Sequence, residues 1–359
     1  MLLEREDVDP NTAGIKDGLT PLQLAAEGGH EGVAKLLLQH EDINPNIADT
    51  KYGRTPLVGA AGQGHERVVK LLLEREDINP NTADIEYGLT PLHWAANRGH
   101  EGVVKLLLER ENVSLNSANT KFGRTPLRWA VDGGHDRVVK VLLEREDINP
   151  NTADIENGLT PLHWAAECGY EEVAKLLLQR EDINPNMRDT KHGRTPLVRA
   201  AQQGHEGVVK LLLERGDVNP NTADIQDGLT PLHWAADGGY DGIAKLLLER
   251  EDLMPLIPSP AGRTALQVAA SRGHDRVVQL LSQLRQCLPV QVYSRGAHLC
   301  PISESSDVIY CCHLHFSSGY SIGSQPVPQA AQEPPGPLGP ICAIIICVAV
   351  LFPLLNHFE

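Results

Sequence analysis

Between Gly88 and Arg110 the chain reads GLTPLHWAANRGHEGVVKLLLER, a stretch that holds two helices and the turn between them. Thr90 is a good helix N-cap, and Pro91 at the first helical position lacks a donor that would have no partner there. Leu92 to Ala96 predicts a short first helix, whose Ala95 and Ala96 let a neighbouring helix approach closely. Gly99 stands where a left-handed turn needs a residue without Cβ. The second helix is predicted from about Glu101 to Arg110. Val103, Val104, Leu106, Leu107 and Leu108 supply its wide apolar face, and Glu101, Lys105 and Glu109, four apart, line the solvent side as ion pairs. Upstream, Asp77-Ile78-Asn79-Pro80-Asn81 reads as an extended loop or short hairpin.

The same stretch recurs along the chain. Thr-Pro-Leu begins at Thr20, Thr55, Thr90, Thr125, Thr160, Thr195 and Thr230, a period of 35, and Thr264-Ala265-Leu266 follows after 34. A fixed period of this length marks a repeat architecture. A single unit cannot bury its own apolar face, so stacking must do it, each unit touching only its neighbours. The units are placed at 15–49, 50–84, 85–119, 120–154, 155–189, 190–224, 225–258 and 259–285, after a partial unit, 1–14, and before a tail, 286–359. The expected fold class is all-α, a solenoid of helix-turn-helix units joined by loops or short hairpins. A longer period of 70 is also present. Gly-Leu-Thr-Pro-Leu units alternate with units carrying Gly-Arg-Thr-Pro-Leu after Lys51, Lys121 and Lys191, so two-repeat blocks have been duplicated.

Composition narrows the function. The 359 residues carry a net charge of −15, and residues 287–359 account for only −3 of it, so the array itself is acidic. That excludes the basic footprint of nonspecific nucleic-acid binding and disfavours an anionic membrane surface. Only Cys168 of the seven cysteines lies in the array, so no disulfide framework supports it, which fits a reducing, cytoplasmic setting. The N-terminus has no apolar run behind a basic region, hence no secretory signal.

The pattern Gly-x-Thr-Pro-Leu-His-x-Ala-Ala…Gly-His-x-x-Val-Val-x-Leu-Leu-Leu closely resembles the ankyrin repeat, over about four fifths of the chain. Two features depart from it. The loop before Thr-Pro-Leu is longer than in the 33-residue form. The glycine usual after the second helix is mostly glutamate (Glu41, Glu76, Glu146, Glu181), with Gly216 the exception. The Arg-Glu-Asp-Ile-Asn-Pro-Asn form resembles arrays at the C-terminal end of fungal NOD-like signalling receptors. By this resemblance His93, His163 and His233 are structural histidines that hydrogen-bond between repeats. It also implies an intracellular protein-protein interaction scaffold, with a detached sensor module of a larger NTP-dependent receptor as the alternative.

The two ends differ from the array. Met1–Asp7 matches the end of a second helix, as in Leu71–Asp77, so the chain begins inside a repeat. Membership of a longer protein is expected, a partner over that end being the other reading. In the tail, the apolar run 341–355 has 15 residues, short of the roughly 20 of a membrane span. A poorly ordered extension is expected there, with a C-terminal anchor as the minority reading.

No catalytic set emerges, and no cofactor, metal or small-molecule substrate is expected. The histidines after the inter-helix glycine (His30, His65, His100, His135, His205, His274) give way to Tyr170 and Tyr240 in two units, which a metal ligand does not tolerate. Cys300, Cys311, Cys312, His313 and His315 lack the Cys-x-x-Cys spacing of a zinc site. Trp94, Trp129, Trp164 and Trp234 are expected to pack against the next repeat. The varying positions in the constant frame are the loop tips and the two places before the inter-helix glycine. By resemblance these line a concave groove that grips partner proteins. The candidate partner-binding residues are Lys51, Tyr52, Arg54, Glu86, Tyr87, Asn97, Arg98, Lys121, Phe122, Arg124, Lys191, His192, Arg194, Gln202 and Gln203. The recurring Lys and Arg at every second tip suggest a partner with acidic segments, and the intervening tips offer Glu86 with Leu89 and Glu156 with Leu159.

Overall fold

The computed structural model describes residues 9–287, which fold into sixteen helices with no strand among them. They come in pairs: α1 Pro21–Glu27 with α2 Glu31–Leu38, α3 Pro56–Gln63 with α4 Glu66–Leu73, α5 Pro91–Asn97 with α6 Glu101–Leu108, and α7 Pro126–Asp132 with α8 Asp136–Leu143. The series continues with α9 Pro161–Cys168 and α10 Glu171–Leu178, α11 Pro196–Gln203 and α12 Glu206–Leu213, α13 Pro231–Gly238 and α14 Asp241–Leu248, and α15 Ala265–Arg272 and α16 Asp275–Cys287. Each odd helix packs on the next odd helix and each even helix on the next even one, giving two layers.

The first helices start as their sequence requires. Thr90 sits in extended backbone, its hydroxyl accepts the His93 amide, and Pro91 follows. Gly99, at φ +73, turns the chain into α6. An added Cβ there would lie 2.7 Å from the His135 ring of the next unit, so glycine is needed for close approach as well as for the turn. Between the layers lie the alanine pairs and the aliphatic residues; Ala95, Ala96, Val103, Val104 and Leu107 have no exposed surface. Leu106 and Leu108, expected in the buried face, are only partly covered.

The second helix stops at Leu108, two residues short of the expected end. Arg110 thereby leaves the helix and reaches the preceding unit, where its guanidinium donates to the Leu73 carbonyl at 2.7 Å, at the end of α4. Arg75 does the same to Leu38, Arg180 to Leu143, Arg215 to Leu178 and Arg250 to Leu213. Four of these arginines are braced by the aspartate two residues on: Asp77, Asp182, Asp217 and Asp252. A cation at a helix C-terminus satisfies carbonyls that would otherwise have no partner and complements the helix dipole. The helices followed by Glu41, Glu76, Glu146 and Glu181 are thus capped by an arginine of the next unit. Of the expected ion pairs, Glu101–Lys105 forms at 2.5 Å. Glu109 lies past the end of α6 and has no ion-pair partner among the described residues.

The long loops are held by a ladder of asparagine side chains. Asn81 donates to the Asn112 carbonyl at 2.7 Å and accepts the Ser114 amide at 2.7 Å; Asn46 makes the same two bonds to Asp77 and Asn79. The tips are turns and not paired strands, so the loop reading holds for them and the hairpin reading does not. Each is closed by backbone bonds such as Asp84 N–H to the Leu89 carbonyl at 3.0 Å and Gly88 N–H to the Asp84 carbonyl at 3.2 Å, and Ile85 donates to Tyr52 of the preceding tip. The Asp84 carboxylate, 3% exposed, accepts the Tyr87 and Gly88 amides and shapes the tip.

Candidate functional site

The tips and the odd helices share one face, and most of the varying residues stand on it. Lys51, Glu86, Arg98, Lys121, Lys191 and Gln203 are exposed, whereas Tyr52, Arg54, Tyr87, Asn97, Phe122, Arg124, His192 and Gln202 are half-buried. The aromatic residues of neighbouring tips meet. Tyr87 stacks on Phe122 with centroids 6.3 Å apart, Phe122 meets Trp129 edge-on at 6.0 Å, and Lys121 Nζ lies 4.3 Å over the Tyr87 ring. Lys51 lies 4.7 Å over Tyr52 and 4.0 Å from Asp17.

The arginines of the basic tips have different fates. Arg124 pairs with Asp132 at 3.1 Å, Glu156 at 3.7 Å and Asp154 at 4.0 Å. Arg194 is buried, 9% exposed, and pairs with Asp227 at 3.2 Å and Asp224 at 3.7 Å. At these two tips the positive charge offered to solvent is thus that of Lys121 and Lys191. Arg54 is sandwiched between Tyr52 at 4.7 Å and Trp94 at 4.6 Å, and forms no ion pair with a carboxylate among the described residues. Leu89 and Leu159, expected as tip surface, are buried at 3% and 4% because the tip closes over them. Gln203 donates to Glu167 at 2.7 Å, and the His192 carbonyl accepts the Ile225 amide.

The tryptophans pack in the opposite direction from that expected. Trp94, Trp164 and Trp234 lie under Arg54, Arg128 and Arg194 of the preceding unit. Their indoles turn back because a guanidinium face waits there, and Trp94 and Trp234 also donate to Asp84 and Asp224, the last residues of the preceding units. Trp129 instead meets Phe122 and Arg124 of its own unit.

The histidines are structural in two distinct ways. His93 Nδ1 accepts the Thr90 amide at 3.2 Å, and its Nε2 meets the Arg124 carbonyl of the next unit at 3.2 Å. His163 and His233 repeat this with Arg194 and Arg263. Burial pushes His93 and His163 down to about 4, against backbone bonds that favour the charged form. The histidines after the inter-helix glycine reach backwards: His100 to the Gly62 carbonyl, His135 to Asn97 and His205 to Glu167. They cover carbonyls at the ends of the odd helices. Nothing in the sequence distinguished this role from solvent exposure.

Two buried arginines were not foreseen, because charge at an apolar helix position gives no pattern to follow. Arg128, with no exposed surface, stands where other units have His93 or His163; it contacts Asp132 and lies 3.7 Å from Asp154. Burial pulls its guanidinium down to about 9. Arg199, in the tryptophan position, pairs with Glu167 at 2.5 Å and Asp189 at 2.9 Å. No group of metal-ligating side chains and no helix long and apolar enough to cross a membrane occurs among the described residues. The zinc-like Cys300–His315 cluster and the apolar run 341–355 lie outside those residues.

A family model described as ankyrin repeats, three copies, matches residues 1–84, 79–154, 147–224 and 217–289. No curated protein matches the chain.

Proposed function

The chain belongs to the ankyrin-repeat family, and from that premise we propose that it is an intracellular scaffold that binds partner proteins on the face formed by the loop tips and odd helices. Ankyrin repeats are generally protein-protein interaction modules. The observation that carries the reading is the ladder of aromatic and cationic side chains across successive tips. Tyr87, Phe122 and Lys121 are in mutual contact, the lysine exposed and the two rings half-buried, and surface-accessible aromatic residues with cations are the usual anchors of protein interfaces. The buried histidines have all their ring nitrogens engaged in the frame, which favours a binding role over a catalytic one. Cys168, free and alone in the array, fits a reducing cytoplasm.

The test is affinity capture with the full chain, followed by the triple variant Lys51→Glu, Lys121→Glu and Lys191→Glu against the proteins recovered. Capture should weaken and lose its salt dependence. Unchanged binding by a variant with its helical signal intact would remove the tip lysines from recognition. Capture of nothing above background would count against the scaffold reading itself.

A further inference from the structure

The duplicated blocks make each groove arginine an internal control for the others. Arg54, Arg124 and Arg194 occupy equivalent places, yet among the described residues only the latter two have a carboxylate within ion-pair distance. Arg124 takes Asp132, eight residues on in α7, and Arg194 takes Asp227 of the next tip. At Arg54 the position equivalent to Asp132 is Gly62, and that equivalent to Asp227 is Tyr87. Asp84, the counterpart of Asp154 and Asp224, accepts the Trp94 indole N–H at 2.8 Å as Asp224 accepts that of Trp234, but it does not come within ion-pair distance of Arg54. Arg54 Nε, like the Nε atoms of Arg124 and Arg194, is buried with no hydrogen-bond partner, so the difference lies in the carboxylates beside the guanidinium.

The missing side chains leave room that Glu27 of the preceding unit fills only in part, its Cγ lying 2.6 Å from where a Cβ on Gly59 would stand. α3 carries Gly59 where α7 has Trp129 and α11 has Arg199, and Gly62 where they have Asp132 and Gln202. A notch of about 30 Å³ opens there, lined by Arg54, Gly59, Gly62, Trp94, Arg98 and Glu27. That is room for about two waters or one carboxylate group. Arg98 lies 5.6 Å over the Trp94 ring and, like Arg54, forms no ion pair among the described residues. Two guanidinium groups thus face one carboxylate, that of Glu27, which burial raises despite the opposing charge of Arg54.

We propose that this notch receives a glutamate or aspartate side chain of an acidic peptide segment, whose carboxylate takes the place at Arg54 that Asp132 takes at Arg124. This rests on the reading of the tip and odd-helix face as the partner-binding face. A fork of guanidinium donors beside an indole face suits a planar carboxylate, which accepts two parallel N–H bonds. The other arginine tips close the same position from within the chain, so the proposal assigns recognition of the acidic residue to the second and third units.

The experiment uses the full chain and a fluorescein-labelled dodecapeptide of alternating glycine and glutamate, followed by fluorescence anisotropy at low salt. Saturable binding is expected, at least tenfold weaker for the glutamine version of the peptide. Gly62→Asp should reproduce the Arg124–Asp132 arrangement and weaken binding at least tenfold. A Cβ at Gly62 meets Trp94 only at 3.7 Å, an ordinary van der Waals contact, so the first atom of the new side chain fits without displacement. Arg54→Gln should weaken binding as much. Gly216→Asp adds the same charge where nothing lies within 4 Å, and should change binding less than twofold. The proposal is overturned if the parent chain does not bind the glutamate peptide, or if Gly62→Asp and Gly216→Asp have equal effects. A phosphoserine peptide bound tenfold more tightly than the glutamate one would overturn the carboxylate assignment. None of these results bears on the tip lysines, whose charge reversal tests the broader reading separately.

Discussion

Acid should loosen this array through His93 and His163, and replacing both by glutamine should abolish most of that sensitivity. In each ring Nδ1 accepts a threonine amide and Nε2 meets a carbonyl, so the neutral tautomer with hydrogen on Nε2 satisfies both. Protonation would put a second hydrogen against the Thr90 or Thr160 amide, inside a region that already disfavours charge. Both rings accordingly titrate near 4 and not at 6.5, with burial the largest cause. The folded state stays unprotonated between these values while the unfolded chain takes up protons, so stability falls as pH drops through 6.5 and the loss is complete below about 4. At pH 5 the loss is about 2 kcal/mol for each histidine, or about 4 kcal/mol for the pair. Glutamine already serves in two other units: Gln23 accepts the Thr20 amide and donates to the Arg54 carbonyl, both at 2.6 Å, and Gln267 accepts the Thr264 amide. The double variant His93→Gln, His163→Gln should therefore lie within about 1 kcal/mol of the parent at pH 7.5, and exceed it in stability at pH 5. Urea titrations followed by circular dichroism at the two pH values supply the comparison. Equal losses of stability on acidification in parent and variant would refute the argument.

Two further predictions concern the frame. Leu107→Ala, at a site with no exposed surface, should cost about 2–5 kcal/mol through the cavity it leaves, whereas Glu109→Ala beyond the same helix should stay within about 0.5 kcal/mol; indistinguishable denaturation midpoints would mean that the buried face is misassigned. Gly99→Ala should cost about 1–3 kcal/mol, because φ is +73 and the new Cβ meets the His135 ring. Gly216→Ala, in open space, should be nearly neutral, and thermal melts of the two variants side by side decide between a required and a dispensable glycine.

The helix pairs were legible from residue order alone, because their causes are local. A threonine cap, a proline in the first turn, an alanine pair, a glycine turn and an aliphatic stripe recur every 35 residues, and each acts through neighbours within a few positions in the chain. The inter-repeat role of His93, His163 and His233 came from the family resemblance. What stayed hidden acts between units. The Arg110 cap on α4, the Asn81 ladder and the backward reach of His100 join residues 31 to 38 positions apart, where residue type alone does not name a partner. The same limit governed the candidate face. Lys51, Lys121 and Lys191 were placed at open tips by pattern, but Arg54, Arg124 and Arg194 looked alike until the carboxylates beside them could be seen. Whether a guanidinium is satisfied depends on which oxygen lies within a few ångströms, and in this array that oxygen comes from the far end of a helix or from the next repeat. Gly62 in place of Asp132 is a small change in the string, and only stacking turns it into an open charge beside an indole.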